Sequence, residues 1–308
     1  MLHHEIPFLG GDGLGLYGQG WLPEAAAAVV IVVPGLAEHG GRHASTAEVL
    51  VEHGYAVYAM DLRGHGRSGG PRCFVDSFDR YLEDLDRWFD VVGRREPGKP
   101  LFVLGHSMGG LIAALWSLSR RPPGDCPDFR GHHRAPTRSV GRHGRENGTV
   151  PFGPPVRGLV LSASALRLHD RVFPVLRHLA GLVGRWLPRL RLVQVSFQSL
   201  SRDPAVVAEF QADPLVFHGR FPVRTGAEIL RAMRRLEAAA GSLQLPLLVL
   251  QGTADRLCDP DGSREFYRLA GSADKTLRLY DGLYHDIFHE PEHEQVLADL
   301  VAWLDARR

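Results

Sequence analysis

The sequence predicts an α/β fold with a mostly parallel sheet, doubly wound by helices. Three observations lead there. Short, nearly pure apolar runs recur along the chain, among them Ala25–Val33, Tyr55–Met60 and Leu101–Leu104. Stretches of helical periodicity separate them, best seen in Phe78, Tyr81, Leu82, Leu85, Trp88, Phe89 and Val92. Strands that are apolar on both faces need cover on both faces, which is the condition of a parallel sheet between helices. Finally, one apolar run meets the turn Gly105-His106-Ser107-Met108-Gly109 and passes straight into a helical pattern (Leu111, Ile112, Ala114, Leu115, Leu118).

The elements follow in chain order. Residues 5–22 read as a hairpin around Gly10-Gly11-Asp12-Gly13. Ala25–Val33 is the first buried strand, followed by the loop Pro34–Arg42 and a helix near 43–53. Tyr55–Met60 is the next strand, ending in Asp61-Leu62-Arg63-Gly64-His65-Gly66-Arg67-Ser68. Ser77 is placed to cap the helix that carries the Phe78–Val92 stripe. The strand 101–105 and a helix over 108–120 come next. Apolar runs at 157–162, 246–251 and 276–280 predict three more strands, and Val296, Leu297, Leu300, Val301 and Leu304 a final amphipathic helix.

Two stretches break the alternation. Residues 122–156 are rich in Pro, Gly, Arg and His and too poor in apolar groups to offset the entropy of ordering them. The five arginines Arg130, Arg134, Arg138, Arg142 and Arg145 allow an anion-binding arm. A solvated loop at the bottom of the sheet accounts for them more simply. Residues 164–240 leave the top of the 157–162 strand and are expected to lie over the cleft as a helical cap. Residues 1–163 and 241–308 then form the core. A stripe from Val172 through Leu190, with Arg171, Arg177, His178, Arg185 and Arg189 largely off it, suits either a helix packed on the body or a face turned to lipid.

Composition narrows the class. The 308 residues are 44% apolar, enough for one large domain, and the formal net charge of +1 gives no reason to invoke nucleic acid. Cys73, Cys126 and Cys258 are odd in number and far apart, which speaks against a disulfide framework or a zinc site. No basic stretch precedes an apolar one at the start, and the longest apolar run is too short to span a bilayer. The expectation is a cytoplasmic protein, with peripheral contact to a membrane left open. Nothing in the residues fixes an oligomeric state.

The chemistry centres on Ser107. A serine in a Gly-x-Ser-x-Gly turn between strand and helix stands at the top of a sheet with a helix N-terminus aimed at it. Serine is a poor nucleophile at neutral pH and needs a base, which needs an orienting carboxylate. In this context the partners follow in the order Ser, Asp or Glu, His, each just beyond a later strand. Asp255 follows the 246–251 run and His285 follows the 276–280 run. His289 is the rival base, and Asp259 and Asp261 the rival acids, although Asp259-Pro260-Asp261-Gly262 also reads as a helix start. His106 is expected to point away from the cleft. The oxyanion donors are expected to be the N–H groups of Met108 and of Leu36, after the first strand. Asp61, Arg63 and His65 read as a loop held by an Asp–Arg hydrogen bond.

Several of these segments together resemble one family. They are Gly35-Leu36-Ala37-Glu38-His39-Gly40-Gly41-Arg42, Asp61–Ser68, Gly105–Gly110, Gly252-Thr253-Ala254-Asp255-Arg256 and Gly282-Leu283-Tyr284-His285-Asp286, joined by Ser201-Arg202-Asp203-Pro204 and Asp213-Pro214-Leu215-Val216. The chain resembles the monoacylglycerol lipase and lysophospholipase branch of the α/β-hydrolases, a group that also holds the so-called serine aminopeptidases. The resemblance covers nearly everything except 122–156. It implies an α/β-hydrolase fold, a triad of Ser107, Asp255 and His285, and an oxyanion hole at Leu36 and Met108. It implies hydrolysis of a single-chain lipid ester with no cofactor and no metal. Departures occur at Pro34, where the family usually has His, at His43 for Tyr, at Asp286 for Glu and at His289 for Asn. None removes a triad atom. Other outcomes consistent with the residues are a general carboxylesterase, a lysophospholipase, or a non-catalytic binding protein of the same fold. Asp in place of Ser107 would be needed for an epoxide hydrolase or dehalogenase.

Overall fold

The computed structural model describes residues 1–119, 156–169, 186–193 and 195–308. The arginine-rich stretch up to 155, Cys126 and the cap stripe from Val172 to Val183 with its flanking Arg171, Arg177, His178 and Arg185 lie outside the described residues.

A hairpin opens the chain, β1 (Leu2–Leu9) and β2 (Gly15–Leu22), with Ile6, Phe8 and Leu16 turned inward. The strands β3 (Ala28–Val33), β4 (Tyr55–Met60), β5 (Leu101–His106), β6 (Val156–Ser162), β9 (Leu247–Gly252) and β10 (Lys275–Tyr280) complete an eight-stranded sheet. Its order is β1-β2-β4-β3-β5-β6-β9-β10, antiparallel through β1, β2 and β4 and parallel thereafter. The short strands β7 (Arg191–Val193) and β8 (Phe221–Pro222) pair apart from it.

The reason for the apolar strands is visible in β3. Val29, Ile31 and Val33 enter the core on one face, and Ala28, Val30 and Val32 the core on the other. The first face is covered by α2 (Asp79–Arg95), α3 (Met108–Ser119), α5 (Val223–Ala239) and α6 (Pro260–Leu269). The second is covered by α1 (Ala44–Glu52) and α7 (His293–Asp305). A further helix, α4 (Pro204–Ala212), packs through Phe210 with Leu200 and Val216. In α2 the residues Tyr81, Leu85, Trp88, Phe89 and Val92 are all buried. Each such side chain contributes about 1.5–3 kcal/mol of burial.

Two local expectations are corrected. Ser77 does not cap α2: the capping position is Phe78, without a side-chain bond, and Ser77 Oγ instead accepts from the Asp79 N–H at 3.4 Å. Asp61 and Arg63 do not bond each other. Asp61 accepts from the backbone N–H groups of Gly40 and Arg67, both at 2.8 Å. Arg63 forms a fork with buried Asp84 at 2.6 and 2.7 Å and reaches Asp12 at 3.0 Å. The guanidinium matches two carboxylates from distant elements, a pairing that sequence proximity does not reveal.

The strand order reverses between β3 and β5: the chain leaves β3 for β4 on one side and returns to β5 on the other. Loops leaving such neighbours diverge and open a crevice at the strand ends. Gly35 and Leu36 follow β3, and Ser107 follows β5, so both lie at that crevice.

Candidate active site

Ser107 has a φ of 52°, in the left-handed region that a non-glycine residue enters only under constraint. The constraint is visible. Its N–H donates to Ser162 O at 3.0 Å, and its own carbonyl accepts from Ala165 N at 2.9 Å. The turn closes only because its flanks lack side chains. A Cβ at Gly105 would lie 2.5 Å from Gly109 O, and one at Gly109 would lie 2.0 Å from Val33 O.

The hydroxyl opens on a cavity of about 60 Å³ whose lining includes Leu36, Met108, Cys258 and His285. The rest of its wall is largely apolar, with Ala165, Leu168, Leu200, Phe210 and Ile229. Gly35 brings the β3 loop against the serine: a Cβ there would stand 3.0 Å from Ser107 Cβ. Among the described residues, neither the Leu36 nor the Met108 N–H has a hydrogen-bond acceptor. Two residues with such N–H groups line the cavity beside Ser107, the pairing from which an oxyanion hole is built.

His285 is buried, and its Nδ1 lies 2.8 Å from Asp255 Oδ2. The carboxylate is held from both sides. Oδ1 accepts from Leu257 N at 2.8 Å and Cys258 N at 3.0 Å, and Oδ2 accepts from Gln251 Nε2 at 2.9 Å. Burial opposes ionisation of Asp255, but the charge and hydrogen bond of His285 and the two N–H donors outweigh it, and its pKa is lowered. Burial likewise opposes the His285 cation, while Asp255 raises its pKa well above the usual imidazole range. The Cys258 thiol lies within 4.8 Å of His285 in the same cavity as Ser107, and burial pushes its pKa up. It is a neutral neighbour of the His285 ring, which no spacing rule in the sequence suggested. The ligand atoms of Asp255, Cys258 and His285 all lie within 4.8 Å of one another. A metal there would have to break the Asp255–His285 hydrogen bond.

The rivals are placed elsewhere. His289 bonds Asp286 at 2.8 Å and Ser45 at 3.2 Å. Asp259 caps α6 through the Asp261 N–H, and both acids face Arg167. The expectation for His106 needs correction. Its ring packs on that of His285, with centroids 5.0 Å apart, and on that of His43 at 5.8 Å. The side chain lies against the imidazole and lines the same cavity rather than pointing away from it. Glu38, also not foreseen, accepts from the Gly35 N–H and is approached by His43 Nε2 at 3.4 Å.

Burial pushes the pKa of both His65 and His106 down to about 4. Both stay neutral in the folded protein at pH values where the unfolded chain already takes up protons. Their contribution to stability is therefore full above about pH 6.5 and is lost as the pH falls toward 4. Burial disfavours ionised Asp286, but His289 and Arg42 prevail and lower its pKa, which adds a loss below the ordinary carboxylate range. Thermal midpoints are expected to decline steadily from pH 7 to 4.5. A flat profile over that interval would contradict the assignment of neutral buried histidines.

The family model described as "Serine aminopeptidase, S33" matches residues 24–131 and 151–292. A monoacylglycerol lipase of Mycolicibacterium smegmatis is 34% identical over 301 residues, 97% of this chain and 96% of its own. The monoglyceride lipase of Homo sapiens is 34% identical, covering 99% of this chain and 92% of its own. Among solved structures, the Paleococcus ferrophilus monoacylglycerol lipase superposes with a TM-score of 0.77 at 29% identity, over 95% of this chain and 99% of its own. The sheet order and the relatives agree on an α/β-hydrolase fold.

Proposed function

From a chain that belongs to the serine aminopeptidase S33 family and is a carboxylic ester hydrolase acting on lipid esters, we propose a monoacylglycerol lipase working through Ser107, His285 and Asp255. The observation that carries the reading is the 2.8 Å His285–Asp255 bond beside a cavity that Ser107, His285, Leu36 and Met108 line together. Ser107 Oγ attacks the ester carbonyl as His285 Nε2 takes its proton. The N–H groups of Leu36 and Met108 receive the developing oxyanion. His285 then protonates the departing glycerol oxygen, leaving an acyl-serine. Water, deprotonated by the same imidazole, releases the fatty acid and restores the serine. No step calls on a metal or cofactor.

The described part of 164–240 acts as a cap, with Ala165, Leu168, Leu200, Phe210 and Ile229 on this cavity, and this apolar wall takes the acyl chain. The outer part of the cap exposes Trp186, Leu187 and Leu192 beside Arg189, which suits transient contact with a lipid surface. No helix among the described residues is long and apolar enough to cross a membrane.

The test is a panel of monoacylglycerols and lysophosphatidylcholines of matched chain length, with a fluorophosphonate probe on the same preparation. Monoacylglycerol turnover and a single adduct on Ser107 are expected. Turnover confined to the choline lipids would favour a lysophospholipase. Absence of both turnover and labelling would leave a binding protein.

A further inference from the structure

The segment Asp213–Val216, conspicuous in the sequence, has no part in the mechanism above. We propose that Asp213 is a positioning residue, a carboxylate on the cap that fixes the oxyanion loop by holding His39. This rests on the reading of Leu36 as an oxyanion donor.

The contacts run in sequence from cap to site. Asp213 Oδ2 lies 2.8 Å from His39 Nε2. His39 Nδ1 accepts from Gly41 N at 3.2 Å, so the ring proton sits on Nε2 and is donated to Asp213. Asp213 is itself fixed, since its Oδ1 accepts from Leu215 N at 2.8 Å. The same cap segment grips the loop again, with Phe217 N donating to Ala37 O at 2.9 Å. On the body side, Asp61 holds Gly40 N, and within the loop Glu38 accepts from Gly35 N.

Loop 35–41, which carries Leu36, is thus held from the cap and from the body. It needs the clamp because Ala37 has a φ of 75°, a strained value for a residue with a side chain. Such a conformation persists only when its surroundings over-determine it. Without the Asp213–His39 bond, the loop can relax and turn the Leu36 N–H out of line. The cost falls on the oxyanion, which forms only during reaction.

The experiment uses p-nitrophenyl acetate, whose acyl group is too short to depend on the cap wall. Asp213→Ala is expected to lower kcat about 10-fold with KM within about 2-fold, less than outright loss of a donor. Affinity for a trifluoromethyl ketone, which forms a tetrahedral oxyanion on the serine, is expected to fall by the same factor. In Asp213→Asn the amide oxygen stays with the Leu215 N–H and the NH2 turns to His39 Nε2, which already carries the ring proton, so this variant is expected to lose about as much as Asp213→Ala. In a double-mutant cycle, His39→Ala with Asp213→Ala is expected to be no worse than His39→Ala alone. Unchanged kcat and ketone affinity in Asp213→Ala, with only KM or the melting temperature moved, would overturn the proposal. Additive losses in the cycle would do the same. A wild-type protein that neither cleaves the acetate nor takes a fluorophosphonate on Ser107 would refute the underlying serine-hydrolase reading instead.

Discussion

Ser107→Ala is expected to reduce ester hydrolysis by about 10,000-fold or more, with the fold intact. The size follows from what is lost and what stays. The covalent route disappears, while the cavity, the two amides and the His285–Asp255 pair remain. The residual rate is the small acceleration that binding and amide donors give to direct attack by water. Alanine fits the site because no residue requires the hydroxyl for packing, and the turn is held by backbone bonds to Ser162 and Ala165. Turnover of p-nitrophenyl butyrate beside a thermal melt checks both halves. A variant that melts like wild type and retains a tenth of its activity would remove Ser107 from the mechanism.

Asp255→Asn is the second large effect, about 10,000-fold in kcat by comparison with other Ser-His-Asp sites. The local hydrogen bonds predict why an isosteric change is so harmful. Two backbone donors, Leu257 N and Cys258 N, converge on Oδ1 and would capture the amide oxygen. The NH2 must then occupy the Oδ2 position, where it faces His285 Nδ1. That nitrogen becomes an acceptor, and the ring proton moves to Nε2, the atom that must accept from Ser107. The NH2 also meets the Gln251 amide, which donates to Oδ2 in the native protein. A modest drop in melting temperature is expected alongside the kinetic loss. Steady-state kinetics across pH 6–10 provide the check, and a kcat within 10-fold of wild type would show that Asp255 does not set the tautomer.

Much of this architecture was legible in the sequence because it depends on local rules. The buried strands declare themselves by lacking polar residues, as in Val29–Val33, and α2 by its stripe from Phe78 to Val92. The elbow is a short-range motif whose glycines answer to backbone crowding within the turn itself. The positions past β9 and β10 follow from the polarity of parallel strands. What could not be read were contacts between elements remote in the chain. Arg63 finds Asp84 across the loop and Asp12 in the hairpin, not its neighbour Asp61. His106 packs on His285, and Cys258 comes close to the same ring, because of how loops from different strands settle against one another. Alternation along β5 gives the face of each side chain but not what a loop from β10 lays upon it.

The strand order also dictates when a nascent chain acquires activity. The serine and the amides belong to the middle of the sheet and lie before residue 109, whereas Asp255 and His285 follow β9 and β10 toward its far edge and are made after them. Parallel pairings of this kind join distant segments, raise contact order and slow folding. In refolding, recovery of enzymatic turnover is therefore expected to lag behind recovery of helical signal, tracking the docking of β9 and β10.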